Sequence, residues 1–123
     1  MEVIKNPITM AVDLKKYGIR IHKTVFRMIG EPKNIQLLVN PTAKSVAIRA
    51  VSESYSQDQT HRINKRRMRS DSSYEIYSKD FVKKLCMVVG GLDEGYGYRL
   101  TGRIIPEENM AVFSLNTIQR FER

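Results

Sequence analysis

The sequence has little of what several large protein classes require. It holds one cysteine among 123 residues, so no disulfide can form within the chain and no cysteine cluster can bind zinc. It has no tryptophan, two histidines, and no apolar run near the roughly 20 residues that a transmembrane helix needs. Its first residues lack the long apolar stretch of a signal peptide. We therefore expect one small domain in a reducing, cytoplasmic compartment, without membrane segment, cofactor or metal.

What the sequence has in excess is positive charge, concentrated in one window. The chain carries 21 Lys and Arg against 13 Asp and Glu, a formal net charge of +8. Residues 62–69, the basic segment, hold five basic residues and no acidic one, whereas residues 70–123 hold seven basic and eight acidic residues. Polyanion binding needs such a dense patch, because each Lys or Arg near a phosphate releases a condensed counterion. The alternative is a solvated connector that keeps the chain soluble.

Hydrophobic periodicity predicts short strands separated by turns, with two short helices. In most segments apolar residues alternate with polar ones, which is the spacing of a half-buried strand. Two segments have helical spacing instead, and glycine follows each of them where a helix would end. Ser78 precedes the second of them and is a good N-cap. The predicted strands lie within 2–16 and at 19–22, 35–39, 45–50, 73–77, 96–105 and 110–115, and the predicted helices at 24–29 and 80–89.

Two segments do not fit this pattern. Residues 52–73 are polar almost throughout, so they cannot bury enough apolar surface to offset the entropy lost on ordering. We expect a long loop or linker there, and loops of that length in a small domain are usually functional or disordered. Residues 116–123 are predicted to form a short tail, in which Ile118 and Phe121 are available to pack on the domain.

The order of elements repeats along the chain. Each half reads strand, helix, strand, turn, strand, and aligning Lys23 with Lys79 places Ile21 against Tyr77. One β-α-β-β unit cannot cover its own apolar face, whereas two packed units can, and exposed hairpin edges favour a homodimer. The sequence therefore predicts a single α+β domain over 1–123, made of two tandem β-α-β-β units (17–50 and 74–115) that form a small barrel or paired antiparallel sheets, joined by the long basic linker 52–73.

Residues 19–30 read Ile-Arg-Ile-His-Lys-Thr-Val-Phe-Arg-Met-Ile-Gly. This segment resembles the strand, Pro-Lys pair and short helix of the AbrB type of swapped-hairpin bacterial regulators, with His22 where that family has proline. Two copies in one chain are similar to the MraZ arrangement, although its Asp-x-x-x-Arg signature is absent at the matching positions. The resemblance implies a small barrel that binds DNA as a dimer or higher oligomer, through basic residues on the first strand and its neighbouring loop.

The candidate nucleic-acid contacts come from two groups of basic residues. On a strand, Arg20 and His22 share the face opposite Ile19 and Ile21, and such a basic row can track a phosphate backbone. The alternative is the ordinary polar face of a half-buried sheet. In the basic segment arginine outnumbers lysine, which suits bidentate phosphate contacts. The predicted contacts are Arg20, His22, Lys23, Arg27, Arg62, Lys65, Arg66, Arg67 and Arg69.

A second candidate site lies on the long strand of the second half. Tyr96, Tyr98, Arg99 and Arg103 interleave rings and cations, a combination that can stack on a base or a nucleotide ligand. The same residues can equally be core rings with charges on the outer face. The sequence alone leaves both interpretations open.

No other cluster indicates chemistry. His22 and His61 are isolated from the partners that a metal site needs, and Cys86 lies among apolar residues as a small hydrophobe would. The glycine-rich stretch 90–97 lacks the Lys-Ser/Thr ending of a phosphate-binding loop, so we interpret it as a turn. No Ser/His/Asp or Cys/His set is evident, and we do not expect an enzyme.

These features favour a small DNA-binding protein, a transcriptional regulator, over two alternatives. The first alternative is an inhibitor or sequestering protein of the kind that phages and mobile elements encode, which binds a host protein complex or a phosphate-bearing nucleotide. The second is an oligomeric interaction module, for which the basic segment would be dispensable. The basic segment distinguishes them, because its loss would abolish DNA binding and spare a plain interaction module.

Overall fold

The chain folds into one antiparallel sheet that forms a half-barrel against two helices, an α+β architecture. The structure is a computed structural model that describes residues 7–51, 60–62, 68–69 and 73–121. The helices are α1 (Lys23–Met28) and α2 (Lys79–Val89). The strands are β1 (Ile8–Asp13), β2 (Gly18–His22), β3 (Asn34–Asn40), β4 (Ser45–Val51), β5 (Thr60–Arg62), β6 (Met68–Arg69), β7 (Ser73–Tyr77), β8 (Gly97–Ile105) and β9 (Met110–Phe121).

The strand order requires the sheet to curve strongly. β5 and β6 lie at the two ends of the order β5-β3-β4-β9-β8-β1-β2-β7-β6. In a flat sheet of nine strands the end strands would be roughly 38 Å apart, because neighbours lie about 4.8 Å apart. Arg62 of β5 and Met68 of β6 are six residues apart in the chain, which spans at most about 22 Å. The two ends of the sheet must therefore approach each other.

The core lies on the face of the sheet that the helices cover. Alternate residues of β1 and β2 point into it, so Met10, Ile19 and Ile21 are fully buried, while Arg20, between Ile19 and Ile21, is exposed on the other, solvent face. This alternation confirms the strands predicted in the first 22 residues. The helices add Val25 and Phe26 from α1 and Phe81, Val82 and Leu85 from α2.

Each helix begins at a polar residue that caps its first turn. The Nδ1 atom of His22 accepts the backbone N–H of Thr24 at 3.2 Å, and the hydroxyl of Ser78 accepts that of Phe81 at 3.3 Å. These bonds satisfy N–H groups that have no partner inside a helix. The N-cap predicted at Ser78 is confirmed.

Two hairpins, β3–β4 and β8–β9, turn in the same way. Each turn begins at a proline, Pro41 or Pro106, and ends at a residue with left-handed backbone, Lys44 (φ 51°) or Asn109 (φ 50°). In each turn the last N–H donates to the carbonyl of the proline, at 3.3 and 3.1 Å. The hairpin predicted at residues 35–50 is confirmed, with β3 and β4 paired along their whole length.

The two hairpins also exchange equivalent hydrogen bonds. The N–H of Ala50 donates to the carbonyl of Asn109 at 3.0 Å, and the N–H of Leu115 donates to the carbonyl of Lys44 at 2.9 Å. Each hairpin therefore donates a bond from its second strand to the left-handed residue in the other hairpin's turn. Because β4 pairs with β9, the two hairpins form one continuous four-stranded region of the sheet.

The last strand extends beyond its predicted end, so the prediction of a tail after residue 115 is wrong. β9 continues to Phe121, which pairs with Gly97 of β8. The register shifts between Arg99 and Thr101, where the hydroxyl of Thr117 accepts the backbone N–H of Thr101 at 2.8 Å. A side-chain oxygen thus replaces a backbone partner across the bulge, and the strand resumes after it. Polar residues at the bulge interrupt the apolar alternation, which is why the pattern ends early.

The polar segment 52–73 is not a loop throughout. Thr60–Arg62 pairs with β3, Met68–Arg69 pairs with β7, and Ser73 already belongs to β7. A ladder of backbone hydrogen bonds needs no apolar side chains, so hydropathy could not reveal these strands. Residues 52–59, 63–67 and 70–72 lie outside the described part of the chain.

The alignment of the two halves also changes by one residue in front of the helices. Tyr74 and Ile76 are buried, whereas Tyr77 is 55% exposed. Ile21 is fully buried, so its burial matches that of Ile76 and not that of Tyr77. One additional residue therefore separates the buried positions of β7 from the start of α2.

Candidate functional site

The first basic group lies where β2 meets α1. Arg20, His22 and Arg27 are exposed, and Lys23 is half-buried. Arg20 and His22 share the solvent face of β2, as the alternation predicts. The Nη2 atom of Arg20 lies 3.9 Å from Oε2 of Glu75 on the adjacent strand β7. This distance is short enough for an ion pair but too long for a hydrogen bond. The Arg20 guanidinium therefore keeps N–H donors for another anion.

The basic segment is split between the two ends of the sheet. Arg62 pairs with Asn34 of β3 at one end, and Arg69 pairs with Ser73 of β7 at the other. Ser73 also pairs with His22 of β2, so Arg69 and His22 lie on the two strands that flank β7, on either side of Ser73. Their backbones are about 10 Å apart, two strand spacings. The sheet thus brings one end of the basic segment beside the β2–α1 group. Lys65, Arg66 and Arg67 lie outside the described residues.

The predicted tyrosine–arginine site is not brought together on one surface. Tyr98 is 5% exposed and points into the core, where its hydroxyl accepts the backbone N–H of Asp93 at 2.7 Å. Arg99 and Arg103 are exposed on the other face of β8. Tyr96 is half-buried, with the guanidinium carbon of Arg120 4.4 Å from its ring centre. A single ligand cannot contact Tyr98 and Arg99 together, because the sheet separates them.

The residues that could carry other chemistry are dispersed. Within the described ranges, no three His, Cys, Asp or Glu side chains are grouped so that they could hold a metal ion. Cys86 is half-buried on α2, and its burial raises the pKa of the thiol, with the carboxylate of Glu94 adding to the rise. A thiol whose pKa is raised carries little thiolate near neutral pH and is a poor nucleophile.

A cleft that the sequence did not predict lies on the solvent face, over β1, β2 and β8. Its volume is about 410 Å³. The middle of its floor consists of small residues, Ala11, Gly18 and Gly97, and its sides include Arg20 and Phe121. The remaining lining residues are Val12, Asp13, Lys16, Ile19 and Glu75.

Register explains how residues far apart in the chain form this cleft. Asp13 pairs with Gly18 on one side and Gly97 on the other, and Ala11 pairs with Arg20 and Arg99. Glycine inside a strand marks a place where something can approach the backbone closely, so Gly18 and Gly97 were the available signal. The sequence could not show that Gly18 and Gly97 lie on either side of Asp13, on the two strands that pair with β1.

Among the residues that the structure describes, neither helix is long and apolar enough to cross a bilayer. Comparisons of the chain with protein-family models, with curated proteins and with solved structures find no match. The case for a function therefore rests on the residues and geometry described above.

Proposed function

We propose that this chain is a small DNA-binding protein, a transcriptional regulator that contacts duplex phosphates through the basic segment and the β2–α1 group. Its binding would be electrostatic in the first place, because Lys and Arg that neutralise phosphates release counterions from the duplex. The resemblance to swapped-hairpin regulators points to the same function.

We propose that the fold is a tandem duplication of β-α-β-β units arranged about a pseudo-twofold axis. The two turns support this, since Pro41 and Lys44 correspond to Pro106 and Asn109 in position, conformation and hydrogen bonding. The reciprocal bonds between the hairpins support it as well. Two strand pairings, β2 with β7 and β4 with β9, join equivalent strands antiparallel, as a twofold axis requires.

Under this symmetry β1 has a counterpart in β5 and β6. β1 lies between β8 and β2. The symmetry relates β8 to β3 and β2 to β7. β5 lies beside β3, and β6 lies beside β7. The place that one continuous strand fills in the first half is thus filled in the second by two short strands, with residues 63–67 between them.

The observation that carries the proposal is the charge difference between these two equivalent places. β1 reads Ile-Thr-Met-Ala-Val-Asp and contains no basic residue, although it pairs along its length with β8 and β2. Its counterpart contains the basic segment, with five Lys and Arg. A strand in this place folds without positive charge, so the fold does not demand the five cations. A polyanionic partner would account for them.

The surface beside the basic segment extends the positive charge. Arg69 lies two strands from His22, and Arg20 and Arg27 are exposed on the same β2–α1 group. We propose a homodimer, which would double the basic surface, in a reducing cytoplasmic compartment suited to the free Cys86.

The test is a fluorescence-anisotropy titration of the full chain with a labelled random-sequence duplex at two salt concentrations. If the basic segment neutralises four or five phosphates, affinity should fall about 100-fold or more between about 50 and about 200 mM salt. Absence of binding at the lower salt would overturn the proposal. An affinity that does not change with salt would overturn it too, because phosphate contacts cannot be independent of counterions.

A further inference from the structure

The cleft on the solvent face has the position and the volume of a small-molecule site. Its floor lies on the central strands β1, β2 and β8, where the backbone is held by pairing on both sides. Its volume of about 410 Å³ falls in the range of about 300 to 1,000 Å³ that small-molecule sites occupy. The floor of the cleft is therefore preformed, and its sides include Lys16 of the β1–β2 turn and Phe121 at the end of β9.

One wall is aromatic. The ring of Phe121 lies directly on Gly97, since a Cβ atom at that glycine would be 2.6 Å from Cζ of Phe121. The guanidinium carbon of Arg99 lies 5.0 Å from the centre of the same ring. Gly97 thus lets the ring lie against the sheet, and the ring presents a flat apolar group to the cleft.

The other lining groups are charged, with both signs present. Arg20 and Lys16 supply cations, and Asp13 and Glu75 supply carboxylates. Glu75 is held in place, since its Oε1 accepts the hydroxyl of Tyr77 at 2.6 Å while Oε2 faces Arg20 at 3.9 Å. The Arg20 side chain is 51% exposed, so an anion in the cleft can reach its donors.

We propose that this cleft binds a nucleoside monophosphate. The phosphate would bind to Arg20 and Lys16, and the flat base would pack against Phe121. The carboxylates of Asp13 and Glu75 would accept hydrogen bonds from ribose hydroxyls or ring amines. The cleft shares Arg20 with the β2–α1 group, but its lining does not include the basic segment, so this inference does not depend on the DNA-binding proposal.

The test is isothermal titration calorimetry of the full chain at low salt with the 5′-monophosphates of adenosine, guanosine, cytidine and uridine. We expect at least one of them to bind with one site per chain. Inorganic phosphate alone and the matching nucleoside should each bind about tenfold or more weakly, because each lacks one half of the recognition. If none of the four binds, or if inorganic phosphate binds equally well, the proposal is wrong.

Three variants locate the binding. Arg20→Gln should weaken it about tenfold or more, since a charge-assisted hydrogen bond is lost. Gly18→Ala should weaken it too, because the methyl group projects from the floor while keeping ordinary 3.5 Å contacts with Glu75 and Tyr77, so the fold is retained. Arg103→Gln is the matched control: it removes an exposed arginine of β8 that does not line the cleft and should leave affinity unchanged.

Two outcomes separate this site from the DNA-binding surface. Arg66→Gln with Arg67→Gln should reduce binding of duplex and leave nucleotide affinity unchanged. If Arg20→Gln and Arg103→Gln weaken nucleotide binding equally, the effect is one of net charge and the cleft is not the site. A failure of duplex binding with a positive nucleotide titration would overturn the DNA proposal alone.

Discussion

In the proposed repeat, β1 and the pair β5 and β6 hold corresponding places in the sheet, yet they are built differently. β1 is continuous, carries no basic residue and pairs on both sides, and the cleft lies over it. β5 and β6 are three and two residues long, and in the described part of the chain each pairs on one side. The five cations of the basic segment belong to this second place.

The difference separates what the fold needs from what a partner needs. A strand in the place of β1 must supply backbone hydrogen bonds and, on the core face, apolar side chains. In β1 these include Met10 and Val12, which are both buried. Positive charge contributes to neither. We therefore propose that the basic segment serves binding and that β1 serves the stability of the fold.

The largest expected effect is on the free energy of unfolding, when proline is introduced into β1 and, for comparison, into β5. Ala11→Pro should lower the free energy of unfolding by about 3 kcal/mol or more, because proline removes a donor in a strand paired with both β2 and β8. His61→Pro in β5 should cost at most about 1 kcal/mol, since edge positions tolerate proline. Urea denaturation followed by circular dichroism measures both values. Equal losses would show that the second place supports the fold as much as the first.

A smaller effect is expected at the two hairpin turns, which test the proposed repeat. Lys44 and Asn109 both have left-handed backbone, a conformation that asparagine tolerates better than lysine. Lys44→Gly should therefore stabilise the fold by about 0.5 kcal/mol or more, and Asn109→Gly should change it by less. Thermal denaturation of the two variants beside the unmodified chain measures the difference. Destabilisation by Lys44→Gly would mean that its side chain has a role that the repeat does not explain.

Much of the fold could be predicted from local patterns. Alternation predicted β2 to β4 and β7, and the cap at Ser78 and the glycines after the helices set the helix bounds, since these features depend on neighbours in sequence. β5, β6 and the end of β9 could not be predicted. Their pairing rests on backbone hydrogen bonds, and at the bulge on the hydroxyl of Thr117, which hydropathy does not register.

The candidate sites, like the fold, could be predicted only where they depend on residues that are neighbours in sequence. That Arg20 and His22 share an exposed face follows from the two-residue period of a strand. The proximity of Arg69 to His22 depends on the pairing of β6, β7 and β2, and the cleft depends on Gly18 and Gly97 flanking Asp13. Such juxtapositions come from register between distant segments, which a single sequence does not specify.

We propose that the positive charge of the basic segment serves DNA binding and not the fold. The decisive comparison uses two variants of equal net charge, each with five Gln substitutions. One neutralises the basic segment at Arg62, Lys65, Arg66, Arg67 and Arg69. The matched control neutralises five exposed residues elsewhere, Lys15, Lys44, Lys79, Lys83 and Arg103.

The measurement is the slope of log affinity for duplex DNA against log salt, with the melting temperature of each variant recorded alongside. We expect the segment variant to lose about 3.6 to 4.5 units of slope, at about 0.9 for each of four or five phosphate contacts, and to melt like the unmodified chain. The control should keep its slope to within about one unit. Equal slopes in the two variants would show that the basic segment does not carry the DNA contacts, and unfolding of the segment variant would show that its charge serves the fold.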